Sequence, residues 1–246
     1  ARRVSPASRD ERSDRAGPAV AFDATGTLIE TAEPVGEVYR RVALTHGVDL
    51  PAWRLDDAFR RVLRRAPPRS APGDEPSERA RSEIAWWHDL VRQTFQATDS
   101  TVRFADRTAF ANDLFETYRR ADAWRPRPGA RSLLSALHAE GARLALVSNF
   151  DHRLPDILEA LDLAPFFEVL AIPARTGLSK PDPALFGLVA ERLGVPLEAL
   201  SYVGDDPKET LAQIARLGVR VVDVRAVARL DDLLDVLLAR TRQEPS

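Results

Sequence analysis

The sequence contains no cysteine, which excludes disulfide bonds, thiolate metal sites and a cysteine nucleophile. It also has no apolar run near the roughly 20 residues that a membrane-spanning helix needs. The first 18 residues lack the hydrophobic segment of a secretory signal. From these absences we expect a cytoplasmic protein that has no membrane partner.

Lysine is scarce, because Lys180 and Lys208 are the only two lysines among 35 basic residues. A position that keeps lysine in such a sequence is a candidate for a role that needs a compact ammonium group and not a guanidinium. The 35 basic residues are balanced by 37 acidic ones, which gives a formal net charge of -2. This balance argues against nucleic acid as a partner.

The chain has 246 residues, of which 44% are hydrophobic and 29% charged, as in ordinary globular proteins. This length is enough for one large domain or two modest ones. Residues 1–17 mix charged and small polar side chains without a hydrophobic period. We predict a disordered tail there.

The hydrophobic pattern from residue 18 onward predicts an α/β fold. An apolar run over residues 19–24 ends in a glycine turn, as expected of a buried strand. After residue 126, short apolar runs alternate with helical patterns, which predicts a doubly wound parallel sheet with helices on both faces. The predicted strands are 143–147, 169–172, 199–203 and 220–224, and the predicted helices are 131–140, 155–161, 184–193, 208–217 and 230–240.

Residues 31–124 show helical patterns and no clear strand. The predicted helices are 35–46, 52–65, 77–96 with Ser77 as N-cap, and 108–120. Because a strand is not stable alone, the first strand must join the later ones in a single sheet. The helices are then an all-helical cap domain over 31–124, inserted into a core domain formed by 18–30 and 125–246.

Reactive side chains follow the predicted strands, where parallel strands end. They are Asp23, Ser148, Lys180, Asp205 and Asp206. Because the carboxyl ends of parallel strands form one crevice, we expect these groups to share a site. A carboxylate can attack phosphorus, while a hydroxyl and an ammonium can hold its oxygens as charge develops. Further carboxylates can hold a magnesium ion.

Four short motifs, taken in chain order, resemble those of the haloacid dehalogenase-like (HAD) hydrolase superfamily. They are FDATGTL over 22–28, VSN over 147–149, KPDP over 180–183 and VGDD over 203–206. Any one of these motifs can occur by chance. All four in this order, each at a predicted strand end or in the loop after it, are a specific signal for the superfamily. The helical segment between the first two resembles the subfamily whose cap is inserted there. The resemblance implies a HAD-like, Rossmann-type core and a hydrolase.

The resemblance also implies a nucleophile and a metal site. Asp23 matches the aspartate that attacks the substrate in this family. Magnesium would be held by Asp23, by the main-chain carbonyl of Thr25 and by Asp205. Asp206, which adjoins Asp205, is a further candidate ligand.

Four residues match, or lie beside, the positions that hold the phosphoryl group in this family. Ser148 matches the hydroxyl of the second motif, and Lys180 matches the lysine of the third. The scarcity of lysine in the sequence supports the assignment of Lys180 independently. Thr27 and Asn149 are further candidates for phosphate binding.

Two departures from the family pattern bear on activity. Thr25 stands where the phosphatases carry a second aspartate, which protonates the leaving oxygen. Thr210 stands where another acid is common, with Glu209 beside it as a possible substitute. Positioned acid–base catalysis contributes roughly 10²–10⁴-fold. We therefore expect slow turnover of alkyl phosphates and a preference for leaving groups that need no proton.

Three functions are compatible with these motifs. The first is a magnesium-dependent phosphatase that forms an aspartyl-phosphate from a small phosphorylated compound with a good leaving group. The second is a carbon–halogen hydrolase like the 2-haloacid dehalogenases, and the third is an inactive or weakly active binding or regulatory protein. Asp205 and Asp206 favour the first, because they indicate a cation. The sequence does not indicate an oligomeric state.

Overall fold

The computed structural model describes residues 17–67 and 72–239 and is centred on a five-stranded parallel sheet. Except for Gly17, the predicted tail lies outside the described residues. The strands are β1 (Ala19–Phe22), β2 (Ile29–Thr31), β3 (Trp124–Pro126), β4 (Arg143–Val147), β5 (Val169–Ala171), β6 (Leu200–Gly204) and β7 (Arg220–Asp223). The parallel sheet has the order β5-β4-β1-β6-β7, with β1 at its centre.

The described residues form ten α-helices. They are α1 (Val35–Thr45), α2 (Ala52–Arg65), α3 (Pro76–Thr98), α4 (Arg107–Thr117), α5 (Ala130–Ala139), α6 (Leu154–Ala160), α7 (Pro173–Thr176), α8 (Pro183–Arg192), α9 (Lys208–Ala215) and α10 (Leu234–Leu238). Val20 and Phe22 of β1 pack with α5, α6 and α10, whereas Ala19 and Ala21 pack with α8 and α9. This alternation follows from the two-residue period of a strand and confirms the doubly wound α/β class.

The sequence analysis missed a two-stranded antiparallel sheet between the helices and the core. In it, Glu30 of β2 pairs with Arg125 of β3. Each strand has three residues, which is too short for an alternating hydrophobic pattern to stand out. Because the chain enters the helical segment through β2 and leaves it through β3, both connections lie side by side.

Helices α1 to α4 have a hydrophobic cluster of their own, which includes Tyr39, Phe95, Phe110 and Leu114. The domain boundaries proposed above stay a prediction. Helix α3 begins at Pro76, with Glu75 and not Ser77 as its N-cap, because proline suits the first turn of a helix.

Two smaller differences concern short helices. The helix predicted at 230–240 divides into a 3₁₀ turn, Leu230–Leu233, followed by α10, and α7 has too few residues for a visible period. Over the described ranges, no helix combines the length and the apolar composition needed to cross a membrane. The cytoplasmic location stays a prediction, as does the absence of membrane and nucleic-acid partners.

Candidate active site

The predicted reactive residues lie at the carboxyl ends of three neighbouring strands. Asp23 follows β1, and its backbone N–H donates to the carbonyl of Val203 on β6 at 2.9 Å. Ser148 follows β4 on the other side, and Asp205 follows β6. The structure thus brings these groups to one edge of the sheet, as the motif positions predict.

Lys180 connects the acidic groups at this edge. Its buried ammonium lies 2.9 Å from Asp23 Oδ1 and 2.8 Å from Asp206 Oδ1, and it donates to the Tyr202 hydroxyl at 2.7 Å. Asn149 fixes the main chain of Lys180, because its amide donates to the Lys180 carbonyl at 3.0 Å and accepts from the Lys180 N–H at 2.7 Å. The Asn149 side chain therefore positions Lys180, and its role in phosphate binding stays a prediction.

Tyr202 is a site residue that the sequence analysis missed. Its hydroxyl donates to Asp206 Oδ2 at 2.5 Å, and its buried ring packs edge-on against Phe186. Burial raises the Tyr202 pKa well above its usual value, so the hydroxyl keeps its proton. A buried tyrosine usually has a hydrogen-bond partner, and this rule could have drawn attention to β6.

The charges at the site perturb the pKa of the proposed nucleophile. Burial raises the Asp23 pKa from 3.8 to about 6, an effect that Lys180 opposes and that Asp206 and Asp205 reinforce. Burial alone would lower the pKa of the Lys180 ammonium, but Asp23 and Asp206 outweigh it and raise that pKa. Asp23 and Asp206 thus share one buried ammonium, with Asp205 nearby.

Asp205 is packed against the turn that follows β1. Gly26 adopts a φ of +84°, and a Cβ at this position would lie 2.2 Å from Asp205 Oδ2, so only glycine fits. The Thr27 hydroxyl donates to Asp205 Oδ1 at 3.3 Å. Thr27 is fully buried and is not among the residues that line the cavity described below. Its predicted phosphate contact is therefore untested.

The donor chemistry at this edge fits magnesium. Asp23 and Asp205 supply hard carboxylate oxygens from neighbouring strands, and magnesium is usually bound by one or two carboxylates together with waters. Within residues 17–67 and 72–239, no three or more His, Cys, Asp or Glu side chains are grouped so that they could hold a metal ion. Both oxygens of Asp206 contact Lys180, and Oδ2 also accepts from Tyr202, so metal binding by Asp206 stays a prediction.

A cavity of about 360 Å³ lies between these residues and helices α1 to α4. Asp23, Thr25, Ser148 and Lys180 line one end of it. The Ser148 oxygen accepts from the Phe150 N–H at 3.3 Å, so the hydroxyl proton can point to a phosphoryl oxygen. The volume suits a small molecule, since ligand pockets usually measure about 300–1,000 Å³.

Comparison with known proteins identifies the family. The sequence over residues 18–215 matches that of haloacid dehalogenase-like hydrolases. The chain belongs to this family of hydrolases. It is 34% identical over 184 residues to haloacid dehalogenase-like hydrolase domain-containing protein 3 of Mus musculus, covering 75% of this chain and 72% of the mouse protein.

A second relative of this HAD-like hydrolase carries a more specific name. The phosphorylated carbohydrates phosphatase of Thermotoga maritima is 26% identical over 204 residues, which cover 82% of each chain. Among solved structures, the HAD-hydrolase YfnB of Bacillus subtilis bound to magnesium superposes with a TM-score of 0.67 at 17% identity, covering 90% of this chain and 98% of that one. At this low identity, the similarity to the Bacillus subtilis structure supports the fold alone.

A buried polar cluster connects helices α3 and α4 of the HAD-like hydrolase to the loop after β4. Arg153 donates from Nε and Nη2 to the two oxygens of Asp151 at 2.8 and 2.7 Å, and from Nη1 to the Phe115 carbonyl at 2.8 Å. The Trp87 indole on α3 donates to Asp151 at 2.6 Å. Trp87 thus lines the cavity and contacts this loop.

Glu83 provides a second contact between α3 and the same loop. This fully buried carboxylate accepts from the backbone N–H of His152 at 2.9 Å and lies 2.8 Å from its Nδ1. His152 therefore holds this loop against α3. Because Ser148 and Asn149 belong to the same loop, the helices hold the loop that carries two of the proposed site residues.

Replacing Asp151 tests how much this cluster stabilises the protein. Asp151→Asn leaves the Arg153 guanidinium buried without its anionic partner, and we expect a loss of about 3–5 kcal/mol in the free energy of unfolding. The matched control is Asp223→Asn, which breaks the same arrangement with Arg225 on the surface and should change stability little. Denaturant unfolding measures both, and equal losses would contradict the account.

Replacing Asp23 tests the cost of burying its charged carboxylate. Because the Asp23 pKa is raised to about 6, the folded protein holds this proton more tightly than the unfolded chain does. Stability should therefore fall as pH rises from about 4 to about 6, which costs about 3 kcal/mol at higher pH. In EDTA at pH 8, we expect Asp23→Asn to be more stable than wild type, with a smaller difference at pH 4.

Magnesium should reverse this order at pH 8. Binding to the folded wild type stabilises it, whereas the variant lacks a ligand carboxylate and gains less. Denaturant titrations with and without magnesium give the comparison. A wild type more stable than Asp23→Asn in EDTA at pH 8 would show that burial of the charged Asp23 carboxylate does not destabilise the folded protein.

Proposed function

We propose that this HAD-like hydrolase is a magnesium-dependent phosphatase that acts on a small phosphorylated compound through an aspartyl-phosphate at Asp23. One observation carries the proposal: Asp23 and Lys180, both buried, are paired at 2.9 Å where the cavity meets the strand ends. A carboxylate in this position can attack phosphorus, and the ammonium beside it can stabilise the phosphoryl oxygens.

The first step follows from this placement. An Asp23 oxygen bonds to phosphorus, and the bond from phosphorus to the leaving oxygen breaks, with the electron pair leaving on that oxygen. Lys180 and the Ser148 hydroxyl donate to phosphoryl oxygens as their charge grows. Magnesium, when bound by Asp23 and Asp205, would neutralise part of that charge.

The second step returns the nucleophile. Water attacks the phosphorus of the aspartyl-phosphate, and Asp23 leaves as a carboxylate with release of inorganic phosphate. Thr25 lines the cavity where the family's phosphatases carry their acid–base aspartate, and its hydroxyl is a poor base. Both protonation of the leaving group and activation of water therefore lack a carboxyl group at this position.

The relatives support the reaction class. The name of the Thermotoga maritima protein states phosphatase activity toward phosphorylated carbohydrates. We extend the phosphatase chemistry to this protein but not the carbohydrate substrate, because Thr25 disfavours expulsion of an unprotonated sugar alkoxide.

The experiment compares three substrates in the presence of magnesium. We expect turnover of acetyl phosphate and p-nitrophenyl phosphate and little turnover of a simple sugar phosphate. Asp23→Asn should abolish all of it, whereas the surface control Asp49→Asn should not. No turnover above the Asp23→Asn level with any substrate would refute the phosphatase.

The two alternatives have separate readouts. Halide release from a 2-haloacid without metal would support the carbon–halogen hydrolase, and ligand-induced stabilisation without turnover would support a binding protein. We place the dehalogenase second, because the negative charges of Asp23, Asp205 and Asp206 disfavour an anionic haloacid unless a cation is present.

A further inference from the structure

The cavity wall facing away from the strand ends is apolar. It is formed largely by hydrocarbon and aromatic side chains from the helices, including Val35, Phe59, Val91, Leu114 and Phe115. Trp124, at the start of β3, extends the same wall. A substrate whose phosphoryl group meets Lys180 would place its leaving part against these side chains.

Among the described residues that line this wall, none offers an unpaired positive charge to a polar leaving part. Arg153, which lines it, is paired with Asp151, and its guanidinium lies 3.6 Å from the centre of the Phe115 ring. His88 is the other lining side chain that could carry positive charge, and burial lowers its pKa, which favours the neutral form. Two polar atoms of lining residues, His88 Nε2 and Tyr118 Oη, are buried without a hydrogen-bond partner among the described residues, so each can pair with one hydroxyl. A sugar carries more hydroxyls than that, and each one buried without a partner would cost about 1–3 kcal/mol.

We propose that the leaving part of the substrate is a neutral aromatic ring, so that the enzyme hydrolyses aryl phosphates, the phosphate monoesters of phenols. This inference rests on the proposed function and names its substrate class. Thr25 points to the same class by an independent route, because a phenolate leaves without prior protonation far more readily than an alkoxide does.

Hydrolysis of an aryl phosphate at this site needs only the ester and water as reactants. An Asp23 oxygen bonds to phosphorus while the bond from phosphorus to the phenolic oxygen breaks, and the phenolate departs with the electron pair and is protonated by solvent. Water then cleaves the aspartyl-phosphate, releasing phosphate and restoring Asp23.

The test separates recognition of the ring from catalysis. In magnesium, phenylphosphonate, which cannot be hydrolysed, should bind about tenfold or more tightly than methylphosphonate, because ring burial adds apolar contact. Benzoyl phosphate should show a kcat/KM at least about tenfold above acetyl phosphate, since the two carboxylate leaving groups differ mainly in the ring.

A variant that fills the cavity should remove this preference. Ala111 on α4 lines the cavity, so Ala111→Phe should bring the ratio of phenylphosphonate to methylphosphonate affinity close to one. The matched control Ala97→Phe places the same ring on an exposed position of α3 and should leave the ratio unchanged. If Ala111→Phe does not fold, Leu63→Ser is the alternative. Leu63 lines the cavity and is partly exposed, and its replacement should lower the ratio of phenylphosphonate to methylphosphonate affinity.

The outcomes distinguish the two proposals. Equal affinity for both phosphonates, or binding of neither, would overturn the aromatic leaving part even if acetyl phosphate is hydrolysed. Preferential phenylphosphonate binding that Ala111→Phe removes would support the ring site even if no phosphate ester is turned over, a result that would refute the phosphatase alone.

Discussion

Thr25→Asp is expected to raise the hydrolysis of alkyl phosphates roughly 10²–10⁴-fold over the wild type. Thr25 is exposed and lines the cavity beside Asp23, so a carboxyl group there can reach a leaving oxygen. The negative charges of Asp23 and Asp205 would raise the pKa of this new carboxyl, which favours the protonated form needed to donate.

The comparison of substrates makes this result specific. We expect kcat/KM for glycerol phosphate to rise steeply and kcat/KM for p-nitrophenyl phosphate to rise much less, because nitrophenolate leaves without a proton. Thr25→Asn, which has the size of aspartate but no acidic proton, is the control. An equal gain with both variants, or no gain with either, would show that a missing acid does not limit the enzyme.

Lys180→Gln is expected to lower kcat/KM by roughly 10²–10³-fold, the usual cost of losing one preorganised donor to developing charge. The Lys180 ammonium contacts Asp23, Asp206 and Tyr202 within 3.0 Å, so it is held where the phosphoryl oxygens would lie. Lys180→Arg should not restore activity, because the planar guanidinium is too large for a fully buried point charge.

The only other lysine in the sequence provides the control. Lys208 begins α9 and is exposed, so Lys208→Gln should keep wild-type kcat/KM. Removing Lys180 also leaves two buried carboxylates without their cation, and unfolding curves should accompany the kinetics so that activity is compared among folded proteins. Full activity in Lys180→Gln would contradict the proposed site.

The sheet and its strand-end residues were accessible to sequence reasoning because both depend on local patterns. Buried strands have apolar runs, and the carboxyl ends of parallel strands share one edge, so Asp23, Ser148 and Asp205 could be grouped without coordinates. The lysine bias adds a signal for Lys180 that is independent of any motif. These inferences required no knowledge of which helices contact each other.

The parts that were missed depend on contacts between distant segments. Strands β2 and β3 are too short to show a period and exist because they pair with each other. Nothing in the local sequence joins Trp87 to Asp151, which are 64 positions apart. The apolar cavity wall could not be predicted either, because it combines side chains from several helices whose packing is not evident from the sequence.

Direct detection of the phosphorylated enzyme tests the central claim most directly. The wild type would be mixed with magnesium and acetyl phosphate, quenched in acid within the first turnovers, digested and examined by mass spectrometry. Because Thr25 is a poor base, hydrolysis of the intermediate should be slow, and we predict that one phosphoryl group accumulates on the peptide that contains Asp23. Steady turnover with a phosphoryl group on another residue, or on none at any time point, would contradict the account.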